Sequence, residues 1–234
     1  MTLLLALAVQ AATRAVPPAS PPALPRCASL VDAAAQRACT GLAFAADRRW
    51  AEAAGDFEAA AKFISAPADP RRAVHWAQAG NAWLAAGDAA KARAALDNAL
   101  LAGSLAGLAL GEAQLDHARA MVALDDPEAA RRDIDLALKT AAADPLAWLL
   151  SATLARRGGD IVRARTDIAE ALKRAADDAA VQLEAGNIAA TARDEAGARA
   201  AWTAAARIAP GSEQGRAAIE ALRQFDVPAP TPAP

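Results

Sequence analysis

Two consecutive stretches of equal length decide the fold. Residues 145–178 read PLAWLLSATLARRGGDIVRARTDIAEALKRAADD, and residues 179–212 read AAVQLEAGNIAATARDEAGARAAWTAAARIAPGS. In each stretch a small residue stands at the eighth position. A second small residue follows 12 residues later, a large apolar residue 4 residues after that, and a third small residue 3 residues further on. Equal length and an equal order of small and large residues indicate a structural repeat.

The same pattern occurs three more times upstream. Its five occurrences are Gly41, Ala53, Phe57, Ala60; Gly80, Ala92, Leu96, Ala99; Ala118, Ala130, Ile134, Ala137; Ala152, Ala164, Ile168, Ala171; and Gly186, Ala198, Trp202, Ala205. Successive occurrences begin 39, 38, 34 and 34 residues apart. The two longer steps predict short insertions near residues 68–72 and 107–110.

The composition predicts that these units are helical. Alanine supplies 75 of the 234 residues, whereas valine and isoleucine together supply 15 and aromatic residues 4 %. Strands draw on β-branched and aromatic residues, so the chain is predicted to be all-α. The net charge of −2 provides no general attraction to nucleic acid or anionic membranes, and no nucleic-acid partner is expected.

Each unit has room for two helices of about 14 residues. Small residues let the two helices cross closely, and the large residue is predicted to fill the gap between neighbouring units. An aspartate at the sixteenth position of four units is predicted to cap the second helix. These residues are Asp88, Asp126, Asp160 and Asp194.

The repeat resembles the tetratricopeptide repeat (TPR) family, whose 34-residue helix-turn-helix units carry this order of small and large residues. Tryptophan at the fourth position (Trp76, Trp148) and an aromatic residue at the eleventh (Phe44, Trp83) also match. The resemblance implies an α-solenoid of five repeats at 34–67, 73–106, 111–144, 145–178 and 179–212. Polar residues replace apolar ones in the first and third repeats, at Arg37, Thr40, Gln114 and His117.

The ends of the chain differ from these repeats. Residues 1–15 contain the apolar stretch Leu3–Val9 and resemble the signal peptide of an exported bacterial protein. Residues 16–31 form a proline-rich linker and lead-in, residues 32–226 the repeat domain, and residues 227–234 a proline-rich tail. The apolar stretch is too short for a membrane-spanning helix, so no integral membrane segment is expected. The alternative is an apolar N-terminus on a cytoplasmic protein.

A capping helix is predicted over residues 212–226. Ser212 suits the N-cap position, and Ile219, Leu222 and Phe225 recur every three residues. Solenoids need such a helix to cover the apolar end of the last repeat.

Cys27 and Cys39 are a possible disulfide in an oxidising compartment. One uninterrupted helix between them would separate them by about 18 Å, beyond disulfide reach. A bridge therefore requires a bend between the two cysteines, and two free thiols are the alternative.

Residues that carry chemistry are few. His75 and His117 have no cysteine or paired carboxylate at metal-ligand spacing, and no glycine-rich phosphate loop occurs. Asp125-Asp126 and Asp177-Asp178 lie at turns, where helix capping explains them. No cofactor, metal or catalytic residue is predicted, and a non-catalytic scaffold is favoured. The alternative is an enzyme or enzyme subunit with a site in an inter-repeat pocket.

The resemblance implies a concave groove, lined by the first helices, that binds a peptide or partner protein. The family's carboxylate clamp is incomplete, because Ala77 and Leu183 stand where it has lysine. A partly apolar, cationic groove for an acidic or C-terminal peptide is expected. Its predicted lining residues are Asn81, Leu115, Arg119, Leu149, Thr153, Arg156, Arg157 and Asn187. Alternatively, these are ordinary solvated helix faces.

Export predicts removal of the leader in the native host. Cleavage is expected after Ala11, or otherwise after Ala15, because small residues occupy the preceding positions. Mass spectrometry of the mature N-terminus measures this. A chain that still begins at Met1 or Thr2 contradicts export.

Overall fold

The computed structural model describes residues 27–225, and eleven helices of 13 to 17 residues account for most of that range. They are α1 (Ala33–Ala46), α2 (Trp50–Phe63), α3 (Pro70–Ala85), α4 (Ala89–Leu101), α5 (Gly107–Ala123), α6 (Pro127–Thr140), α7 (Pro145–Arg157), α8 (Ile161–Arg174), α9 (Ala179–Thr191), α10 (Glu195–Ile208) and α11 (Glu213–Phe225). No strand occurs between residues 27 and 225, which confirms the all-α class. The predicted signal peptide, most of the linker and the tail lie outside the described residues.

The first ten helices form five pairs, and each pair has the same turn. In every pair three residues separate the helices, and the middle one has a positive φ of 58° to 83°. The third residue donates its backbone N–H to the carbonyl five residues earlier, at 2.9 Å in all five turns. This helix C-terminal motif favours glycine at the middle position. Gly87 and Gly159 provide it, whereas Arg48, Asp125 and Arg193 adopt the same conformation without it.

The two predicted insertions lengthen existing elements. Residues 70–72 extend α3 to 16 residues, and residues 107–110 extend α5 to 17. Six residues connect α2 to α3 and five connect α4 to α5, whereas the later connections between pairs have four. The inserted residues therefore leave the 34-residue pattern of small and large residues intact.

The helices form two compact units. The first comprises described residues 27–109 and 119–126, and the second comprises 110–118 and 127–225. In the first unit α1, α2, α3 and α4 pack in chain order. In the second unit α7 to α11 pack in the same way, with additional contacts of α9 with α7 and α11.

The residues of the repeating pattern form the core of the pairs, and all twenty are buried. A Cβ atom built on Gly80 would lie 2.3 Å from Leu96 Cγ, and one on Gly186 would lie 2.4 Å from Trp202 Cδ1. The large residue therefore packs on the small residue of its own pair. The sequence predicted that this residue fills the gap between neighbouring units, and the structure adds a close contact between the two helices of one pair.

Ile168 shows that the next pair also contributes. It belongs to one buried cluster with Val181 and Ile188 of α9. Ile168 thus packs with residues of its own pair and of the following one.

Aspartate caps begin most helices. The carboxylates of Asp88, Asp160 and Asp194 accept the backbone N–H three residues ahead, at 2.9 to 3.0 Å, as predicted. The side chain and backbone N–H of Lys91 bind the Asp88 carboxylate and hold its pKa below the usual value. Asp126 directly precedes α6. Carboxylates are favoured here because they accept free N–H groups at the positive end of the helix dipole.

Helix α11 covers the last pair, in agreement with the predicted cap. Ser212 Oγ accepts the N–H of Gly215 at 3.0 Å. Leu222 and Phe225 pack on the cluster around Trp202, and the Phe225 and Trp202 rings meet edge to face at 5.4 Å.

Larger side chains at the crossings are expected to destabilise the fold. Ala164→Leu or Ala198→Leu should lower the free energy of unfolding by about 1 to 3 kcal/mol, because both sites are fully buried. Ala217→Leu on the exposed side of α11 is the control and should cost much less. Denaturant melts measure all three, and equal losses would contradict the repeat register.

Candidate functional site

The predicted groove residues of the first unit are Asn81 and Arg119. Asn81 is exposed on α3 and Arg119 on α5, so both side chains are accessible. Each also takes part in a further interaction. The other six predicted groove residues lie in the second unit.

Arg156 is not a free cation, contrary to the expected cationic groove. Its guanidinium binds Glu184 of α9, with Nε to Oε1 at 2.6 Å and Nη2 to Oε2 at 3.2 Å. Glu184 is only 6 % exposed. The pair joins α7 to α9, and the buried carboxylate neutralises the charge that a ligand would have met.

Asn187 and Leu115 are also structural. Asn187 donates to Glu184 Oε2 at 3.2 Å and accepts the indole N–H of Trp202 at 3.0 Å, which occupies both ends of its amide. Leu115 is 1 % exposed. Leu115 lies inside the core, so its assignment to a ligand-binding surface was wrong. Asn187 is half-buried and held by its neighbours, and its place in a ligand-binding groove stays a prediction.

Three predicted residues remain on the surface of α7. Leu149 and Thr153 are half-buried, and the Thr153 hydroxyl donates to the Leu149 carbonyl at 2.8 Å. Arg157 is exposed at the end of the helix. The α7 surface thus provides one accessible cation beside apolar residues, which is a weaker anion site than expected.

A partly buried polar network connects α6, α7 and α8. Arg131 donates to Ser151 Oγ at 2.9 Å, and that hydroxyl donates to Asp167. Arg163 binds both Asp167 and Asp135. Burial lowers the pKa of Arg131, although Asp135 opposes the shift. These groups bind one another across three helices, and only the buried Arg131 Nε lacks a hydrogen-bond partner among the described residues, so the network is structural.

Two of the four polar residues at usually apolar repeat positions have a carboxylate partner. The other two do not: the Thr40 hydroxyl donates to a backbone carbonyl of its own helix, and the buried Gln114 Oε1 has no hydrogen-bond partner among the described residues. Arg37 Nη1 binds Asp56 Oδ1 at 2.8 Å, and His117 Nδ1 lies 2.7 Å from Asp133 Oδ2. Asp56, Asp133 and Asp167 occupy the twenty-third position of their repeats. This recurring carboxylate was the missed sequence signal, because it predicts a polar partner on the first helix.

A cleft between α1 and α3 forms an accessible apolar concavity in the first unit. It has a volume of about 460 Å³ and is lined by Ala35, Ala38, Cys39 and Leu42 of α1 and by Pro70 and Val74 of α3. We call it the α1–α3 cleft. Alanines leave its floor open, while Leu42 and Val74 are 57 % and 39 % exposed.

Sequence reasoning missed the contribution of α1 to this cleft. Ala35, Ala38 and Leu42 occupy the second, fifth and ninth positions of the first repeat, where the TPR resemblance places groove residues. The repeat positions that predicted the other groove residues therefore identify these three as groove residues as well. At the rim, Arg71 is paired with Asp69 at 2.7 Å and with Asp32 at 3.7 Å, so its charge is balanced.

The Cys27–Cys39 disulfide adjoins the α1–α3 cleft. The two Cα atoms lie 5.5 Å apart, and Cys39 lines the cleft. The required bend is present, because the chain turns at Cys27 to Leu30 and α1 begins only at Ala33, capped by Asp32. The bridge fastens the chain before α1 to the middle of that helix.

Neither histidine lies in a metal-binding arrangement. His75 Nδ1 lies 2.9 Å from Gln78 Oε1, and His117 faces Asp133. Residues 27–225 contain no group of three or more potential metal ligands. Within the same range, no helix combines the length and apolar character needed to cross a membrane.

Comparison with known proteins supports the fold. No family model and no curated protein matches the sequence significantly. Among solved structures, YrrB, described as a TPR protein with an unusual peptide-binding site, is similar at 16 % identity and TM-score 0.60 over 87 % of this chain and 100 % of YrrB. PilF of Pseudomonas aeruginosa has 16 % identity and TM-score 0.64 over 82 % of each chain.

PilW, described as a widely conserved type IV pilus biogenesis factor, has 15 % identity and TM-score 0.52 over 80 % of this chain and 98 % of PilW. The chain therefore has the tetratricopeptide repeat fold. The predicted α-solenoid of TPR-like repeats is confirmed at the level of the fold.

Two adjacent arginines are expected to differ in their effect on stability. Arg156→Ala leaves the Glu184 carboxylate buried without its cation and should cost about 2 kcal/mol, less than for a fully buried pair because Arg156 is partly exposed. Arg157→Ala removes an exposed side chain and should change stability by less than about 0.5 kcal/mol. Equal effects in urea denaturation would contradict the structural role of Arg156.

Proposed function

We propose that the protein is a non-catalytic interaction module that binds a peptide or a partner protein on the first-helix faces of its repeats. The observation that carries the proposal is the α1–α3 cleft, an open apolar concavity built from groove positions of two consecutive repeats. The TPR fold supports it, and one similar structure, YrrB, is described as having a peptide-binding site.

The chemistry of the cleft specifies the ligand more closely. Alanines form its floor, Leu42 and Val74 project at its sides, and the rim cation Arg71 is paired with acidic residues. Burial of apolar side chains is therefore the available source of binding energy. The ligand is a segment with one or two large apolar side chains, held with its polar backbone toward solvent.

The surface of α7 is a second candidate binding surface, for a ligand of a different class. Arg157 is the accessible cation there, and Leu146 is 41 % exposed one helix turn from Leu149. An acidic or C-terminal peptide remains the class of ligand proposed for this surface, with Arg157 rather than Arg156 as its cation.

We also propose that the protein works in the bacterial cell envelope after export to the periplasm. The apolar stretch Leu3–Val9 supports export. The Cys27–Cys39 bridge suits an oxidising compartment. The similarity to PilW, a type IV pilus biogenesis factor, is compatible with a role among envelope proteins.

Affinity capture from the native host tests the proposed binding surface. The immobilised full chain is compared with the double variant Leu42→Asp and Val74→Asp, which places charges at the sides of the cleft. The matched control is Leu101→Asp with Leu108→Asp, two exposed leucines of the same unit that do not line the cleft. Quantitative mass spectrometry identifies the captured proteins.

We expect at least one stoichiometric partner that the wild type and the control retain and that the cleft variant binds about tenfold or more weakly. The two aspartates would replace the apolar side chains of the cleft, and their carboxylates would have to lose water when an apolar ligand binds. An unchanged set of partners in the cleft variant would contradict the proposal. If the control variant also lost these partners, exposed leucines in general, and not the cleft, would be what binds them.

A further inference from the structure

The Cys27–Cys39 bridge anchors the start of the described chain beside the α1–α3 cleft. Cys27 is 2 % exposed, and its Cα atom lies 5.5 Å from that of Cys39, which lines the cleft. Residues 16–26 directly precede this anchored residue. A fully extended chain advances at most about 3.6 Å per residue, so covalent geometry keeps Leu24 within about 11 Å of the Cα atom of Cys27. The side chain of Leu24 is therefore within reach of the cleft.

The sequence of residues 16–26 suits the apolar lining of the cleft. It reads VPPASPPALPR, and nine of its eleven residues are apolar. Alanines form the floor of the cleft, and Leu42 and Val74 at its sides are 57 % and 39 % exposed. Leu24 is a large apolar side chain of the kind that such a lining would bury, and removal of both surfaces from water favours the contact.

The five prolines of this segment also match the cleft. A proline has no backbone N–H, so its burial against alanine leaves no donor without an acceptor. Proline-rich sequences favour an extended conformation of about 3.1 Å per residue, in which residues 21–26 would cover about 19 Å. The 14 residues of α1 are about 21 Å long. The segment is thus long enough to follow the cleft and loses little conformational freedom in doing so.

The charged groups at the rim are compatible with this segment. Arg71 binds Asp69 at 2.7 Å and lies 3.7 Å from Asp32, so two carboxylates face one guanidinium. His75 also lines the cleft, and its Nδ1 atom is bound within α3. Arg26 is the one charged residue of the segment. Its positive charge therefore meets a rim that has more carboxylates than guanidinium groups.

We propose that residues 16–26 occupy the α1–α3 cleft of their own chain and compete there with an external ligand. This proposal rests on the proposed function, because it takes the cleft as the ligand site. A short tether gives a local concentration in the millimolar range. A segment that binds the cleft with a Kd of about 0.1 mM would then fill it most of the time and weaken an external ligand about tenfold. The segment thus sets the affinity that a partner must exceed.

A competition assay on the full chain tests this proposal. The probe is a fluorescently labelled peptide with the sequence of residues 16–26, and fluorescence anisotropy measures its binding. The test variant Leu24→Asp removes the large apolar side chain from the tethered segment. The control Ser20→Asp adds the same charge at a polar position, which lies on another side of an extended segment with three residues per turn. The cleft variant is again Leu42→Asp with Val74→Asp.

We expect Leu24→Asp to bind the probe about fivefold to tenfold more tightly than the wild type and Ser20→Asp do, because its own segment no longer competes. The cleft variant Leu42→Asp with Val74→Asp should bind the probe about tenfold more weakly than Leu24→Asp does. Equal affinities of the wild type and Leu24→Asp would overturn the proposal. Failure of both to bind the probe would overturn it as well.

Sedimentation of the same proteins separates occupation within one chain from exchange between two chains. We expect wild type and Leu24→Asp to sediment alike. A wild-type dimer that Leu24→Asp converts to a monomer would show that the segment fills the cleft of a second copy, which would overturn occupation within one chain.

Affinity capture remains the separate test of the proposed function. If the cleft variant loses a captured partner but the probe binds neither the wild type nor Leu24→Asp, the proposed function holds and the competing segment is overturned. If the probe binds in the cleft but the captured partners are unchanged, the segment occupies the cleft and the proposed function is overturned.

Discussion

The close approach of the two helices within each pair is the interaction on which the rest of the structure depends. A glycine or alanine of the first helix lies under a large apolar residue of the second, as Gly80 lies under Leu96. A methyl group at Gly80 would overlap the leucine, so the pair can close only with the smallest side chain there. The buried alanines on both sides of the large residue complete this contact in every repeat.

The common turn lets the same contact recur. Three residues with a left-handed middle residue reverse the chain in all five pairs, even where that residue is Arg48 or Arg193. The left-handed conformation of the middle residue costs less free energy than the helix packing positioned by the turn contributes. With the pair geometry kept constant, residues on the exposed helix faces can vary, and differences such as the α1–α3 cleft arise there.

The sequence predicted the core better than the surface. The twenty residues that spacing identified are all buried, and it also identified capping aspartates, because backbone geometry repeats with the chain. The repeat spacing assigned Arg156 to the ligand-binding groove, because spacing specifies the helix face on which a residue lies but not the neighbours of its side chain. Glu184, which neutralises Arg156, comes from the next repeat and is buried. The pairing of the aspartates at position 23 could have been predicted, because an acid that recurs at a buried repeat position requires a polar partner.

The most direct test of the helix approach compares two glycines in helix interiors. Gly55 on α2 is exposed with no atom near its would-be Cβ, whereas the Cβ of Gly80 would meet Leu96. The free energy of unfolding should rise by about 0.5 to 1 kcal/mol in Gly55→Ala, because alanine favours the helix. It should fall by about 1 to 3 kcal/mol in Gly80→Ala. If Gly80→Ala stabilised the protein as Gly55→Ala does, the two helices would not depend on this contact.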